Sequence, residues 1–428
     1  MISPRLRKRA LFSPQLRKHP PPVKTTQDVA LPCCRSPTIR ARLSHQGTTP
    51  MIKRIVIAAA VSACFAAPAF ADVTIGGSAE MDLFYRTNQS DGRAADGTLQ
   101  DAGGRFLEEI AIVVNVSGND KLDSGATLEW KLAQKVATDY RYDSWGQREA
   151  WIGYKGDFGS VRFGNQFSNF YLMQDWPYGW KGQGNLWADA GAHYVQYSRG
   201  ISYFSPDFNG FNFAAQYDLG TGDGDAQAYE VTANYSVGGL SINGGISHGD
   251  GYSAGSEAVN FGRNGAWGVG GNYNVADEQP EATAYMIGAR YVFGDFNITG
   301  AYRHHEWKNV TWGGWGVAPA SVAGGKSEND QFLIRGGYNF GKHALNLGYQ
   351  LWTEMEVDGN DIDDSDVQQV SFEWDYSLSK NSVAFLQVRY NMMGDNAGVV
   401  FPGAYQIDGW NGIDDNNMRI LVGTWTGF

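Results

Sequence analysis

The sequence predicts an all-β fold, a 16-stranded antiparallel transmembrane β-barrel occupying residues 72–428. Three observations carry that prediction. After residue 71, apolar and polar residues alternate with period two. The connections between alternating segments are by turns short and long, and aromatic residues gather at the segment ends.

The first 71 residues read as address rather than fold. Met51-Ile-Lys-Arg opens a basic region, Ile55 to Phe65 is apolar, and Ala69-Phe70-Ala71 is a small-x-small cleavage site. That is the order of a secretory signal peptide, so 51–71 is expected to be removed and the mature chain to begin at Asp72. The basic, Pro-containing residues 1–50 show no periodicity. They are expected to be a disordered or misassigned extension, with translation starting at Met51. Val61-Ser62-Ala63-Cys64 also resembles a lipoprotein cleavage box. The Ala-Phe-Ala site directly ahead of a strand favours cleavage before Asp72.

Composition narrows the class. Glycine is abundant, at 55 of 428 residues, and 14 % of residues are aromatic. The one long apolar run starts near Ile55 and is too short for a spanning helix. Of the 34 Lys+Arg and 45 Asp+Glu, 12 and 1 lie before residue 72, leaving 22 against 44 and a net charge of about −22 for 72–428. All three cysteines, Cys33, Cys34 and Cys64, lie in that leader too. The body therefore has neither a disulfide framework nor a Cys-metal site, no cofactor is expected, and its acidity disfavours nucleic acid.

Alternation is clearest from Val73 to Arg86, where Val73, Ile75, Gly77, Ala79, Met81, Leu83 and Tyr85 oppose Thr74, Ser78, Glu80, Asp82 and Arg86. It recurs at Leu128–Leu132, Tyr229–Tyr235, Val370–Tyr376 and Ala384–Tyr390. A soluble sandwich also alternates, but seldom ends so many strands in aromatics. Here Tyr154, Tyr217, Tyr235, Tyr291, Phe293, Tyr376 and Tyr390 do so, as interface girdles require. Sixteen strands are expected at 73–86, 107–117, 126–136, 147–156, 160–168, 194–204, 211–218, 228–236, 240–248, 284–293, 296–305, 331–340, 344–352, 368–376, 383–391 and 418–428. A further candidate, Trp267–Asn274, breaks the parity of the short turns and is placed in an external loop. A barrel of this size encloses water rather than a filled core.

Several segments resemble the general, non-specific Gram-negative outer-membrane porins. Gln147–Phe167, QREAWIGYKGDFGSVRFGNQF, is similar to that family's fourth-to-fifth strand hairpin. Ile201–Phe211 resembles its sixth-to-seventh strand junction, Tyr376–Ser382 its penultimate turn, and the last strand ends on Phe428, the family's assembly signal. The resemblance spans residues 72–428. It implies a homotrimer assembled by the barrel-assembly machinery in the outer membrane, among lipid and lipopolysaccharide, with the third external loop folded into each barrel. Small polar solutes would diffuse through.

By position the inward loop is Asn169–His193, with acids Asp175 and Asp189, base Lys181 and aromatics Trp176, Tyr178, Trp180 and Trp187. Period-two parity puts Lys131, Arg162, Arg290, Arg303, Arg335 and Arg389 on the lumen wall, with Glu80, Asp82, Glu109, Glu129, Glu230, Glu373 and Asp375. Gly77 and Asn165 stand where the family's wall ladder carries bases. A thinned ladder and an acidic body predict mild cation preference; the opposing reading leaves the acids solvated on external loops. The loop aromatics either stack on sugar rings, giving a carbohydrate-selective channel, or wedge the loop against the wall.

Other motifs are set aside. Ala320–Ser327 has P-loop spacing but lies in a Gly-rich loop without the strand and helix a P-loop needs. Asp358–Asp366 resembles a calcium loop yet lacks its glycine and its final glutamate. Such an acidic loop could bridge divalent ions to lipopolysaccharide. An outer-membrane barrel enzyme is the rival class, but His193, His248, His304, His305 and His343 come with no nucleophile motif. A closed adhesion barrel is the third.

Overall fold

The computed structural model describes residues 72–428 apart from 94–98, 138–144, 180, 183–185, 188–194, 221–226, 251–280, 310, 313–321, 324 and 401–406. Among the described residues, sixteen long strands follow one another: β1 (Asp72–Arg93), β2 (Leu99–Lys121), β3 (Thr127–Ala137), β4 (Glu149–Gly156), β5 (Gly159–Phe167), β6 (Gln196–Phe204), β7 (Phe211–Asp218), β8 (Gln227–Val237), β9 (Leu240–Asp250), β10 (Glu281–Phe293), β11 (Phe296–Lys308), β12 (Lys326–Phe340), β13 (His343–Trp352), β14 (Val367–Ser377), β15 (Ser382–Met393) and β16 (Asn416–Gly427). Each pairs antiparallel with its neighbours in sequence. The first pairs with the last, from Ser78 opposite Gly427 to Arg86 opposite Arg419, so the sheet closes. Short hairpins at Met355–Ile362 and at Thr311–Trp312 with Val322–Ala323 decorate two long connections. Trp267–Asn274 lies outside the described residues.

Several strands run beyond the periodic segments, most of all β2, which reaches from Leu99 to Lys121, whereas β4 and β6 begin two residues later than expected. In β2 the backbone ladder continues past the apolar band, because pairing needs no greasy face. Short turns join the strands at one end, from Leu122–Ala126 through Asp157–Phe158 to Leu378–Asn381. The long connections lie at the other end.

The sides of this sheet are inverted relative to a soluble protein. Outward side chains such as Phe106, Ile75, Leu347 and Ile287 are 58–70 % exposed, whereas inward Thr299, Arg303, Gln331 and Gln350 are fully buried. Apolar side chains in that position cannot be holding a core together; they face a medium that is itself apolar. Around the short-turn end the outward rings form a continuous series. Tyr291, Phe293, Phe296, Tyr338, Phe340 and His343 lie 4.6–5.8 Å apart, centroid to centroid, in successive pairs.

The chain terminus is tied into the seam. Gly77 N–H donates to the Phe428 carbonyl at 2.9 Å, and Phe428 N–H donates back to Gly77 at 3.1 Å. A Cβ on Gly77 would lie 2.0 Å from the Val113 carbonyl oxygen and 3.0 Å from the Phe428 ring. Gly77→Val should therefore cost about 1–3 kcal/mol or more through overpacking at the seam. The check is the temperature at which the folded barrel loses its compact electrophoretic mobility. A melting point unchanged from wild type would show that the seam does not depend on this close approach.

Candidate functional site

The site is built by the connection after β5. A register shift between Gly164 and Gln166 bends the end of β5. Ser168 then caps a short helix α1 (Asn169–Met173), accepting from Tyr171 N–H at 3.0 Å. The helix runs on into a wide turn at Gln174–Gly179.

Glu230, inward on β8 and 1 % exposed, holds the start of this segment. It accepts from the Asn169 and Phe170 amides at 2.5 and 3.0 Å, from Ser168 Oγ at 2.6 Å and from the Tyr197 hydroxyl at 3.0 Å. Amides at a helix start have no partner within the helix, so a carboxylate there satisfies groups that would otherwise be stranded. Beyond the helix, wall guanidiniums take over. Arg303 donates to Gln174 Oε1 and to the Trp187 carbonyl, both at 2.5 Å, and its charge lies 4.8 Å from the Trp187 ring centre. Arg335 donates to the Pro177 carbonyl at 2.7 Å, Gln331 to the Leu186 carbonyl at 2.8 Å, and Arg389 to the Gly182 carbonyl at 2.8 Å. Lys181 pairs with Asp375 and, at 3.4 Å, with Glu373.

These partners belong to β8, β11, β12, β14 and β15, and all lie on the inward register. The segment therefore crosses the inside of the barrel along that arc of wall. An apolar seam reinforces the polar one. Phe170, Met173, Tyr178, Leu186 and Trp187 pack on inward Ala284, Met286, Trp307, Leu333 and Trp352. Gly288 makes room for Tyr178, since a Cβ there would lie 2.4 Å from its ring, and the Tyr178 hydroxyl donates to Asn243 at 2.8 Å. Asp175 and Trp176 are exposed on this segment, the Trp176 ring centre 5.8 Å from the Arg290 charge. The barrel surrounding Asp175 raises its carboxyl pKa, while Arg148 and Lys135 across the interior pull it back down.

The described wall opposite holds most of the remaining lumen residues. Glu80 and Asp82 are inward on β1, with Glu109 directly across from Asp82 on β2. Lys131 pairs with Glu149, and Arg162 with Glu129 at 3.2 Å. Trp180 and Asp189 lie outside the described residues. Gly77 and Asn165 require a correction. Gly77 shares the outward register with Leu83, and Asn165, across from outward Ala150, donates to the Gly146 and Gln147 carbonyls. Neither is a wall-ladder position, so neither thins the ladder. Arg105, Arg86 and Arg419 lie side by side on the inward register of β2, β1 and β16 respectively.

Asp408, in the connection between β15 and β16, is the residue that parity could not find. Burial would raise its pKa, but Arg389 at 3.0 Å and Arg419 at 3.3 Å, with Arg86 nearby, hold it down at about 2. Asn391 adds a bond at 3.3 Å. Nothing in the sequence distinguishes it from the other acids of the long loops. Among the described residues one set of side chains has metal-ligand spacing, His304, Glu306 and Glu328. Lys326 already bridges its two carboxylates. In the acidic hairpin, Asp358 accepts from the Lys326 and Gly325 amides, which lowers its pKa and ties the hairpin to the start of β12.

Comparison with known proteins agrees with this architecture. A sequence model of the family described as Gram-negative porin matches residues 58–396. The chain is 26 % identical over 344 residues to a chitoporin of Vibrio furnissii, covering 74 % of this chain and 87 % of that one. It is 27 % identical over 196 residues to the major outer membrane protein P.IB of Neisseria lactamica, covering 43 % of this chain and 55 % of that one. In structure it is similar to an anion-selective porin from Comamonas acidovorans, with a TM-score of 0.60, 17 % identity and coverage of 84 % and 100 %. A loop-deleted OmpT of Vibrio cholerae superimposes with a TM-score of 0.59 at 14 % identity, covering 84 % and 99 %. A closed inverted barrel that holds a polar loop within it, matched over most of its length by one family, leads to a single assignment: the chain belongs to the Gram-negative porins and forms a diffusion channel in the outer membrane.

Proposed function

We propose that the segment from Asn169 to Trp187 is the constriction of a general diffusion pore for small hydrophilic solutes and ions, and that nothing is catalysed along the way. The carrying observation is the division of the segment into two sides. One is bound to the wall from β8 to β15; the other presents Asp175 toward Arg148 and Lys135. Solute would pass between them. Opposed charges in a narrow low-dielectric passage impose a transverse field that orients dipolar molecules.

We propose mild cation preference. The body carries 22 bases against 44 acids, and Glu80, Asp82, Glu109 and Asp175 line the inner wall and loop. The guanidiniums of Arg86, Arg105 and Arg419 oppose it, and neither Gly77 nor Asn165 thins the wall ladder. A carbohydrate-selective channel is the second reading, favoured by exposed Trp176, whose ring centre lies 5.8 Å from the Arg290 charge, and by the likeness to a chitoporin. Against it, Tyr178 and Trp187 are fully buried and serve as wedges.

Residues 51–71 are proposed to be a cleaved signal peptide and 1–50 to lie outside the functional protein. Phe428 is proposed as the signal read by the barrel-assembly machinery. The working unit is proposed to be a homotrimer embedded among lipopolysaccharide.

Three measurements in planar bilayers and liposomes test these proposals. In a tenfold potassium chloride gradient the reversal potential should carry the sign of cation preference, and Asp175→Asn should move it toward chloride; a wild-type preference for chloride would overturn the reading. Oligosaccharide block of current should be weak and nearly unaffected by Trp176→Ala, whereas a large loss of block would promote the sugar-selective reading. Glu230→Ala should strand the buried Phe170 amide, while the Asn169 amide keeps Gln216, at a cost of about 1–3 kcal/mol, and raise open-channel noise. Noise equal to wild type would mean that Glu230 does not steady the loop.

A further inference from the structure

The short turns at one end of the barrel differ in charge. Asp123, Asp157, Asp207 and Asp295 each sit in one of them, and the Val237–Leu240 turn is uncharged. Two turns alone among the seven carry a base, and neither carries an acid: Lys342 follows Gly341, and Lys380 lies within Leu378–Asn381. They are neighbours. Ser377 N–H, at the foot of β14, donates to the Lys342 carbonyl at 2.8 Å. In a chain this acidic, two lysines flanking one strand foot make a local positive site.

That strand foot borders an outward cleft of about 480 Å³ lined by His343, Trp374, Tyr376, Ala384, Leu386 and Val422. Its floor is low because Ala384 stands between larger neighbours. Its wall is a ring stack, with His343 centred 5.8 Å from Trp374 and 5.0 Å from Tyr376. Two details aim the polar groups at the mouth. The Lys342 ammonium lies 5.9 Å from the Tyr376 ring centre, folded back over the cleft wall. Trp374 Nε1 donates to His343 Nδ1 at 3.1 Å, which leaves Nε2 as the protonated, donating nitrogen of that ring. From Trp374 to Lys380 is six residues, about 20 Å of strand, a span covered by a glycerol backbone and the upper half of an acyl chain.

We propose that this cleft is a binding site for an anionic glycerophospholipid of the leaflet at the short-turn end, which in outer-membrane barrels is the periplasmic one. One acyl chain lies over Ala384 against the aromatic wall, and the phosphate is met by Lys342, Lys380 and His343 Nε2–H. The charge of the two turns selects the occupant: an apolar cleft alone would take any chain, and the cations favour a headgroup that leaves the phosphate uncompensated.

Native mass spectrometry of the detergent-solubilised full-length protein, titrated with phosphatidylglycerol or with phosphatidylethanolamine of the same chains, tests the proposal. One phosphatidylglycerol per chain should survive collisional activation, retained at least fivefold over phosphatidylethanolamine. Lys342→Ala with Lys380→Ala should abolish that preference, Ala384→Phe should displace the lipid, and Lys308→Ala with Lys326→Ala at the opposite end should change nothing. Folding of each variant is read from its compact electrophoretic mobility, and the turn double variant leaves the barrel wall intact should the cleft variant fail to fold. Equal retention of the two lipids, or unchanged retention in the turn variant, overturns the proposal. So does retention of lipopolysaccharide in place of phospholipid, or dissociation of an oligomer by Ala384→Phe, which would give the cleft to a second copy of the chain.

Discussion

Every feature of this molecule follows from the closing of β1 on β16. A backbone amide facing hydrocarbon has no water to turn to, so a sheet in a membrane cannot have an edge. The pairing from Ser78–Gly427 to Arg86–Arg419 removes the last one. The residue that flanks the end of β16 joins this seam. Phe428 exchanges two hydrogen bonds with Gly77 and extends the closure by one step. Once the sheet is closed, its two faces meet two different solvents, and the period of two distributes the side chains between them.

Closure leaves an interior that no hydrophobic core fills, so the loop inside must be held by other means. The wall does so with hydrogen bonds from charged groups to neutral backbone. Glu230 receives amides; Arg303, Arg335 and Arg389 give protons to carbonyls. Bonds of this kind are stronger than neutral ones and keep the loop's backbone satisfied away from bulk water. Arg389 also bridges two loops, since it contacts both Gly182 and Asp408. The apolar patch around Trp187, Trp307 and Trp352 adds packing along the same arc, so the loop is fastened along that side.

Much of this was legible in the chain itself. Strand number, antiparallel order, the asymmetry of turns and loops, and the inward or outward register of Glu80, Asp82, Arg162 and Arg335 all follow from alternation, because a side chain in a strand has only two directions to point. The reading of Gly77 and Asn165 failed for an instructive reason. Both were assigned by likeness to a basic ladder rather than by parity, and parity places Gly77 outward with Ile75 and Leu83. Arg86, Arg105 and Arg419 supply inward charge without any such motif.

The sequence alone determined that the strands of residues 72–428 have a greasy side and a wet side, since the two-residue repeat is a local property of the backbone. Only the tertiary structure decided which inward groups meet. Glu230 finds the Asn169 amide 61 positions away, and Asp408 finds Arg389 across the opening of a long loop. Such contacts depend on the curvature that brings distant strands around one lumen, and no spacing along the chain encodes them.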